Sequence, residues 1–517
     1  MTTLIHGGTV VDGTGRAAFA GDVLVADDRI ADVIPAGAVE APPAADRRID
    51  ATDCLVTPGF IDAHAHSDAY LVLEPLAPSK LAQGVTTEIN GQCGGSVAPR
   101  YGEARLSSDW AALLGERLTW RSLAEYRAVL DAARPAINTL RSSVVGYAPR
   151  PSTPDEVRKM RELLAQALDE GGWGLTTGLV YQPGCHSTPD ETVALARTAA
   201  ERGGLYATHM RSEGDAIEEA IDEVLALVDA TGIRAEISHL KTSGRRNWPK
   251  IDRVLDRLQK AVDAGRLLGS DRYPFCAAGT DLDIVLPDWA QAGAAPAEMQ
   301  RLADAATRAR LVAEIDAADR DWTTVTVGGT WAAENAGLSG RTVAEILAAR
   351  PGLTPGALVC DILERDGCKT GAFFFGMCEE NLAKIYERDW VVPGSDASLR
   401  APWGPLGKDH PHPRAYGTMP EFYRRVKAIS SREAAIRRMT AVPAERFGLR
   451  GRGTLVRGAA ADVVVWKEDE FVSRATYEKP HCFAGGVRAV LVNGTLPYLD
   501  GAFTDARGGR FLEPRGQ

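Results

Sequence analysis

The chain has 517 residues, 45% of them apolar and 25% charged, a balance that supplies a large buried core and excludes an intrinsically disordered chain. With 59 basic against 69 acidic residues the formal charge is −10, which argues against nucleic acid as a partner. Eight scattered cysteines without a CxxC pair exclude a small disulfide scaffold, and no apolar run is long enough to span a bilayer. The opening MTTLIHGGTVVDG has no basic segment followed by an apolar one, which with the unpaired cysteines predicts a reduced, cytoplasmic chain.

In chain order, residues 1–56 hold short β-type runs, TLIHGGTVVDG and DVLVADDRIADVI, with turn residues between them. Residues 446–517 repeat that pattern with ADVVVWK and VRAVLVNGTLPYLDG, where Asn493-Gly494 predicts a two-residue hairpin turn. Two similar ends around a different centre predict one small β-sandwich domain built from both termini.

The centre, residues 57–445, alternates strand-like and amphipathic helical stretches, the pattern of parallel β/α units. Eight strand candidates occur: GFIDAHAH, VTTEING, SSVVGYA, WGLTTGLVY, GLYATHM, RAEISHLK, LLGSDRYPF and DWVVPGSD. Thr153-Pro154-Asp155-Glu156 and Ser187-Thr188-Pro189-Asp190-Glu191 open helices with a cap, a proline in the first turn and early acids. Leu175, Ala207, Ile237 and Gly269 recur every 30 to 32 positions, close to the roughly 31 residues per unit that an eightfold α/β barrel requires. The fold class is therefore α/β, a (β/α)8 TIM-like barrel. The interval from Tyr273 to Val391 is far longer and predicts a helical insertion over 281–350 after the seventh strand, a candidate lid.

Active-site residues of such a barrel lie at the C-terminal ends of its strands. The first strand ends in Asp62-Ala63-His64-Ala65-His66, and alternation puts His64 and His66 on one side. His209 closes the fifth strand, His239 the sixth, and Asp396 the last. Four of only nine histidines thus converge with a carboxylate, which is the composition of a metal site. Imidazole donors suit zinc, and Cys93, in the Gly-rich loop Asn90-Gly91-Gln92-Cys93-Gly94-Gly95, is either a thiolate ligand or a buried apolar cysteine.

TPGFIDAHAHSD resembles the first-strand motif of the metal-dependent amidohydrolase superfamily, and the match to its N-acyl-D-amino-acid deacylase (D-aminoacylase) branch is closer. GVTTEINGQCGGSVAP, GLTTGLVYQPG, THMRSEGD, ISHLK, YPFCAAGT, GSDAS and HPRAYGTMPEF resemble that family's motifs and occur in its order. The resemblance implies zinc-dependent hydrolysis of the amide of N-acyl-D-amino acids, releasing a carboxylate and a D-amino acid. It implies one tightly held zinc on Cys93, His209 and His239, and a second, weaker position at His64 and His66. Asp396 corresponds to the general acid/base and adds to the ligand set. Lys241, Tyr273 and Arg414 match positions that bind the substrate carboxylate, with Tyr181 of GLTTGLVYQPG a further substrate contact. The D-stereochemistry comes wholly from the resemblance, and a hydrophobic substrate side chain is the mild preference.

The chain departs from the family pattern at Gly279, where a serine is usual, with Thr280 next to it. The stretch after Asp396 is long, and its Arg400 and Trp403 are candidates to line the acyl or side-chain pocket. Arg211 faces either the substrate or a structural carboxylate. A cyclic amidase of the dihydropyrimidinase type, the nearest rival, needs a carboxylated lysine on the fourth strand, and Trp173-Gly174-Leu175-Thr176-Thr177-Gly178-Leu179-Val180 has none. A non-catalytic scaffold would have lost ligands, and all six are present.

Overall fold

The computed structural model describes residues 1–102, 104, 108–129 and 137–514. Both chain ends enter one nine-stranded sheet. Thr2–Val10, Phe19–Ala26, Arg29–Pro35, Arg47–Asp50 and Leu55–Pro58 come from the front of the chain. Val463–Trp466, Val487–Val492, Thr495–Leu499 and Ala502–Phe503 come from the back. The halves join where Leu55–Pro58 runs antiparallel to Val463–Trp466, with Val56 opposite Val465. Alternation turns Val23, Val25, Val56, Val463, Val465 and Leu491 into a common core. Asn493 and Gly494 both have positive φ (45° and 76°), the pair of left-handed residues that a type I′ turn requires.

The central strands form a five-stranded parallel sheet in the order Val391–Pro393, Leu268–Arg272, Arg234–Ile237, Leu205–His209, Gly174–Gly178. Phe60–Asp62 and Val85–Glu88 make a second parallel pair. The Ala63 N–H donates to Pro393 O at 3.0 Å and Ala65 bridges Ala397, which joins the pair to the sheet. Helices Pro154–Asp169, Pro189–Ala200, Ile217–Thr231 and Ile251–Asp263 lie between the strands. They bury Leu164, Leu195, Ile221 and Leu258 against them. Thr153 and Glu156 form a capping box, and Thr188 Oγ1 accepts the Glu191 N–H, each cap contributing about 1 kcal/mol.

One expected strand is a helix. SSVVGYA begins on the last residues of the helix Ile137–Val144 and continues into a turn; in that helix Arg141 is fully buried and donates to Glu191 and to Ser152 Oγ. That tertiary ion pair outweighs the β-propensity of the local Ser-Ser-Val-Val. Among the described residues no strand lies between Val85–Glu88 and Gly174–Gly178. The Asn90–Gly95 loop runs there instead, and Thr176 Oγ1 donates to Gly91 O. A Cβ on Gly178 would lie 2.1 Å from Cys93 O, so glycine allows this loop to press against the strand.

Past Tyr273 the chain leaves the barrel. Ala278–Asp281, Val325–Val327 and Gly371–Phe374 form an antiparallel sheet over a separate core that includes Leu282, Leu311, Val343 and Leu358. This unit reaches past residue 350, because Ala278–Asp281 pairs with Gly371–Phe374 and closes it there. Gly376 O accepts from Gly244 N and Trp248 Nε1, which docks the unit on the loop after the Arg234–Ile237 strand. Among the described residues no helix is long and apolar enough to cross a membrane.

Candidate metal centre

Strand ends and the Cys93 loop bring the candidate ligands to one mouth of the barrel. One donor from each of His64, His66, Cys93 and Asp396, and likewise of Cys93, His209 and His239, lies within 4.8 Å of the others in its group. Cys93 belongs to both. Its Sγ is 3.3 Å from His64 Nε2 and from His239 Nε2. Asp396 Oδ1 is 3.1 Å from His66 Nε2 and 3.3 Å from His64 Nε2.

Three of these six residues sit in left-handed backbone, Cys93 (φ 53°), His239 (φ 37°) and Asp396 (φ 50°). Such conformations cost non-glycine residues of order 1–3 kcal/mol and persist where surrounding contacts over-determine them. Those contacts are present. The Asp396 N–H donates to His64 O at 2.8 Å and the His239 N–H to Asp271 Oδ1 at 3.0 Å. Below them, buried Lys80 donates to Asp62 Oδ2, Ser395 Oγ and Ala397 O and pairs with Glu88. Asp62 Oδ1 accepts from the backbone N–H of Ser395 and of His64.

The electrostatics favour a cation. Burial pushes the Cys93 thiol up, but the His64 and His239 imidazoles hold it well below the ordinary thiol value, giving the thiolate a metal needs. Burial lowers His239, and Lys241 lowers it further. Glu213, Asp396 and Cys93 more than reverse this and raise it to about 10. Burial likewise disfavours charge on His64, while Asp271 and Cys93 raise it well above the usual imidazole range. Burial works against the Asp396 anion, and Arg414 and the histidines hold it well below the usual carboxylate range. His209 Nδ1 is buried with no hydrogen-bond partner. A divalent ion satisfies that orphan and replaces the protons the anions otherwise draw onto the histidines, so the donor set fits zinc.

The remaining expected residues are close by. Arg414 Nη1 donates to Asp396 Oδ2 at 2.7 Å and Nη2 to Gly279 O at 3.2 Å, with its guanidinium 4.6 Å from the Tyr273 ring. Arg414 Nε and Tyr273 Oη are buried and unpartnered. Gly279 thus meets Arg414 through its carbonyl. Tyr181 packs edge-on to His209, ring centres 4.9 Å apart, and burial together with the Cys93 and Asp396 charges keeps its phenol protonated. Lys241 is buried with its ammonium held by Glu213, and Glu213 Oε1 also lies 2.9 Å from His239 Nδ1.

Other expectations fall away from the site. Arg211 pairs with Glu223 and donates to Cys185 O and Ser187 O, so it meets a structural carboxylate. Arg400 pairs with Asp409 over the Tyr70 ring. Trp403 donates to Glu74 and packs at steep ring angles against Phe483 and Phe503, beside the terminal sheet. Side chains not singled out from sequence include Asp271, Glu213, Lys80 and His412. His412 accepts the Arg414 N–H at Nδ1 and lies 3.0 Å from Ala277 O through Nε2. A carboxylate inside the apolar LLGSDRY run, and one four residues after His209, are the sequence signals that would have flagged the first two.

This barrel, with its strand-end donors and its sheet built from both ends, defines a class also seen by comparison. The amidohydrolase family pattern matches residues 47–498. An N-acyl-D-glutamate deacylase of Alcaligenes xylosoxydans xylosoxydans is 36% identical over 96% of this chain and 93% of its own. The N-acyl-D-glutamate deacylase of Bordetella bronchiseptica, solved with zinc and a phosphonate mimic of the tetrahedral intermediate, superposes with TM-score 0.82 at 32% identity, covering 99% of both chains. A D-aminoacylase with a binuclear metal centre, activated by one metal and attenuated by the second, gives TM-score 0.80 at 32% identity over 99% of both chains. The chain belongs to the amidohydrolase family, as a TIM barrel with an added β domain.

Proposed function

We propose that this protein is a zinc-dependent N-acyl-D-amino-acid deacylase, cleaving a linear amide to a carboxylate and a free D-amino acid. The observation that carries the reading is the pair of donor groups sharing Cys93, set against a guanidinium that touches Asp396. Cys93, His209 and His239 would hold a tight zinc, and His64, His66 and Asp396 a weaker one. Bound there, zinc would lower the pKa of a water to about 7 and polarise the acyl carbonyl.

Asp396 is the proton carrier. Its carboxylate is anionic at neutral pH, so it accepts a proton from the attacking water and delivers it to the leaving nitrogen, which cannot depart as an anion. Arg414 Nε and Tyr273 Oη are donors without partners, and a substrate carboxylate satisfies both. Lys241, its ammonium 5.9 Å from the Tyr273 ring, adds positive charge to that pocket. Tyr181 donates to the substrate from the opposite, His209 side.

The test is a panel of N-acetyl-D- and N-acetyl-L-amino acids, hydrophobic and acidic, with metal-quantified enzyme. Turnover of D-substrates by protein carrying at least one zinc per chain is expected. Protein that purifies with no zinc, or that prefers L-substrates, overturns the reading.

A further inference from the structure

Asp271 lies in the strand Leu268–Arg272, fully buried, and no step above uses it. Its two oxygens go to different ligand groups. Oδ2 is 3.0 Å from His64 Nδ1, and Oδ1 accepts the backbone N–H of His239 at 3.0 Å. His64 belongs to the group with His66 and Asp396, whereas His239 belongs to the group with His209.

We propose that Asp271 is a positioning residue that couples the two metal positions. A carboxylate oxygen accepts a hydrogen bond, so Oδ2 holds the Nδ1–H of His64 and orients its Nε2 toward Cys93 and Asp396. The other oxygen pins His239 in its left-handed backbone, which aims His239 Nε2 at Cys93. Gly394 carries independent evidence. A Cβ there would lie 2.5 Å from Asp271 Oδ1 and 2.6 Å from His64 Cβ, so only glycine leaves this pair in contact. Partners of this kind tune the affinity of ligating histidines. The proposal rests on the zinc reading above.

Asp271→Asn separates the two roles. The amide oxygen keeps the His239 N–H, so its NH2 faces His64 Nδ1, drives the imidazole proton to Nε2 and removes that ligand atom. Zinc titration against a competing chelator, on full-length protein, is expected to show the His64/His66 position weakened about ten- to a hundredfold. The Cys93/His209/His239 position stays within about threefold. Asp271→Ala weakens both positions, and Gly394→Ala, which forces His64 and Asp271 apart, weakens the His64/His66 position. Wild-type affinities at both positions in Asp271→Asn, or equal loss at both, overturn the proposal.

Should Asp271→Asn not fold, histidine-labelled wild type loaded with zinc decides. A proton on His64 Nδ1 supports the proposal and one on Nε2 overturns it. Wild-type protein that binds no zinc sinks the zinc reading and this proposal together. Wild type that binds zinc beside an indifferent Asp271→Asn sinks only this one.

Discussion

In the terminal sheet, left-handed non-glycine residues are confined to turns and loops, at Asp27, Asp53, Asn493 and Asp500, where the chain must reverse or bend. Its core is mostly Val, Ile and Leu, with a few Ala and one Cys. At the mouth of the barrel the left-handed residues are Cys93, His239 and Asp396, where a half-buried thiol meets buried imidazoles and carboxylates. His209 Nδ1, Tyr273 Oη and Arg414 Nε are buried there without partners. One region keeps its left-handed residues in turns, while the other places them among the candidate ligands. The sheet and helices hold the mouth in a conformation that no short segment would choose alone.

Variants at the mouth are expected to change chemistry, and variants in the sheet stability alone. Removing the thiol that both donor groups share is expected to have the largest effect. Cys93→Ala is expected to abolish tight zinc binding and turnover together, checked by metal analysis beside the deacylation assay. Asp396→Asn follows, with kcat down by about 10²–10⁴ and the Cys93/His209/His239 zinc retained. A variant with near-wild-type kcat would refute the proton-transfer role. Arg414→Lys loses the fork that reaches both Asp396 and a substrate carboxylate, so kcat/KM is expected to drop about ten- to a hundredfold.

Acid produces a graded form of the same loss. His239 is raised to about 10 without metal, so zinc must displace its proton, and falling pH favours the proton. Zinc affinity is expected to fall roughly tenfold per pH unit for each proton displaced, read by competition titration between pH 6 and 8. A pH-independent affinity would show that His239 enters the site already neutral. The smallest effect on chemistry belongs to the sheet. Leu491→Ala, in the terminal core, is expected to cost about 2–5 kcal/mol of stability by denaturant unfolding while leaving kcat unchanged. A large kcat change there would blur the distinction between the two regions.

Short-range chemistry made part of the molecule readable in advance. Period-two alternation put His64 and His66 on one side, strand ends placed His209, His239 and Asp396, and Thr-Pro-acid signals opened the helices. These cues act within a few residues, so they survive without knowledge of the fold. Long-range contacts decided the rest. His64 meets Asp271 across 207 positions and Ser395 meets Asp62 across 333, distances at which no periodicity speaks. The same long-range contacts made Ile137–Val144 a helix around buried Arg141 and sent Arg211, Arg400 and Trp403 to partners outside the mouth. Amino-acid order alone therefore determined which residue types reach the strand ends, because local backbone geometry dictates it. Only the tertiary structure decided which of them gather in one donor cluster or meet one carboxylate, because a buried charge takes whichever partner the fold brings within about 3 Å.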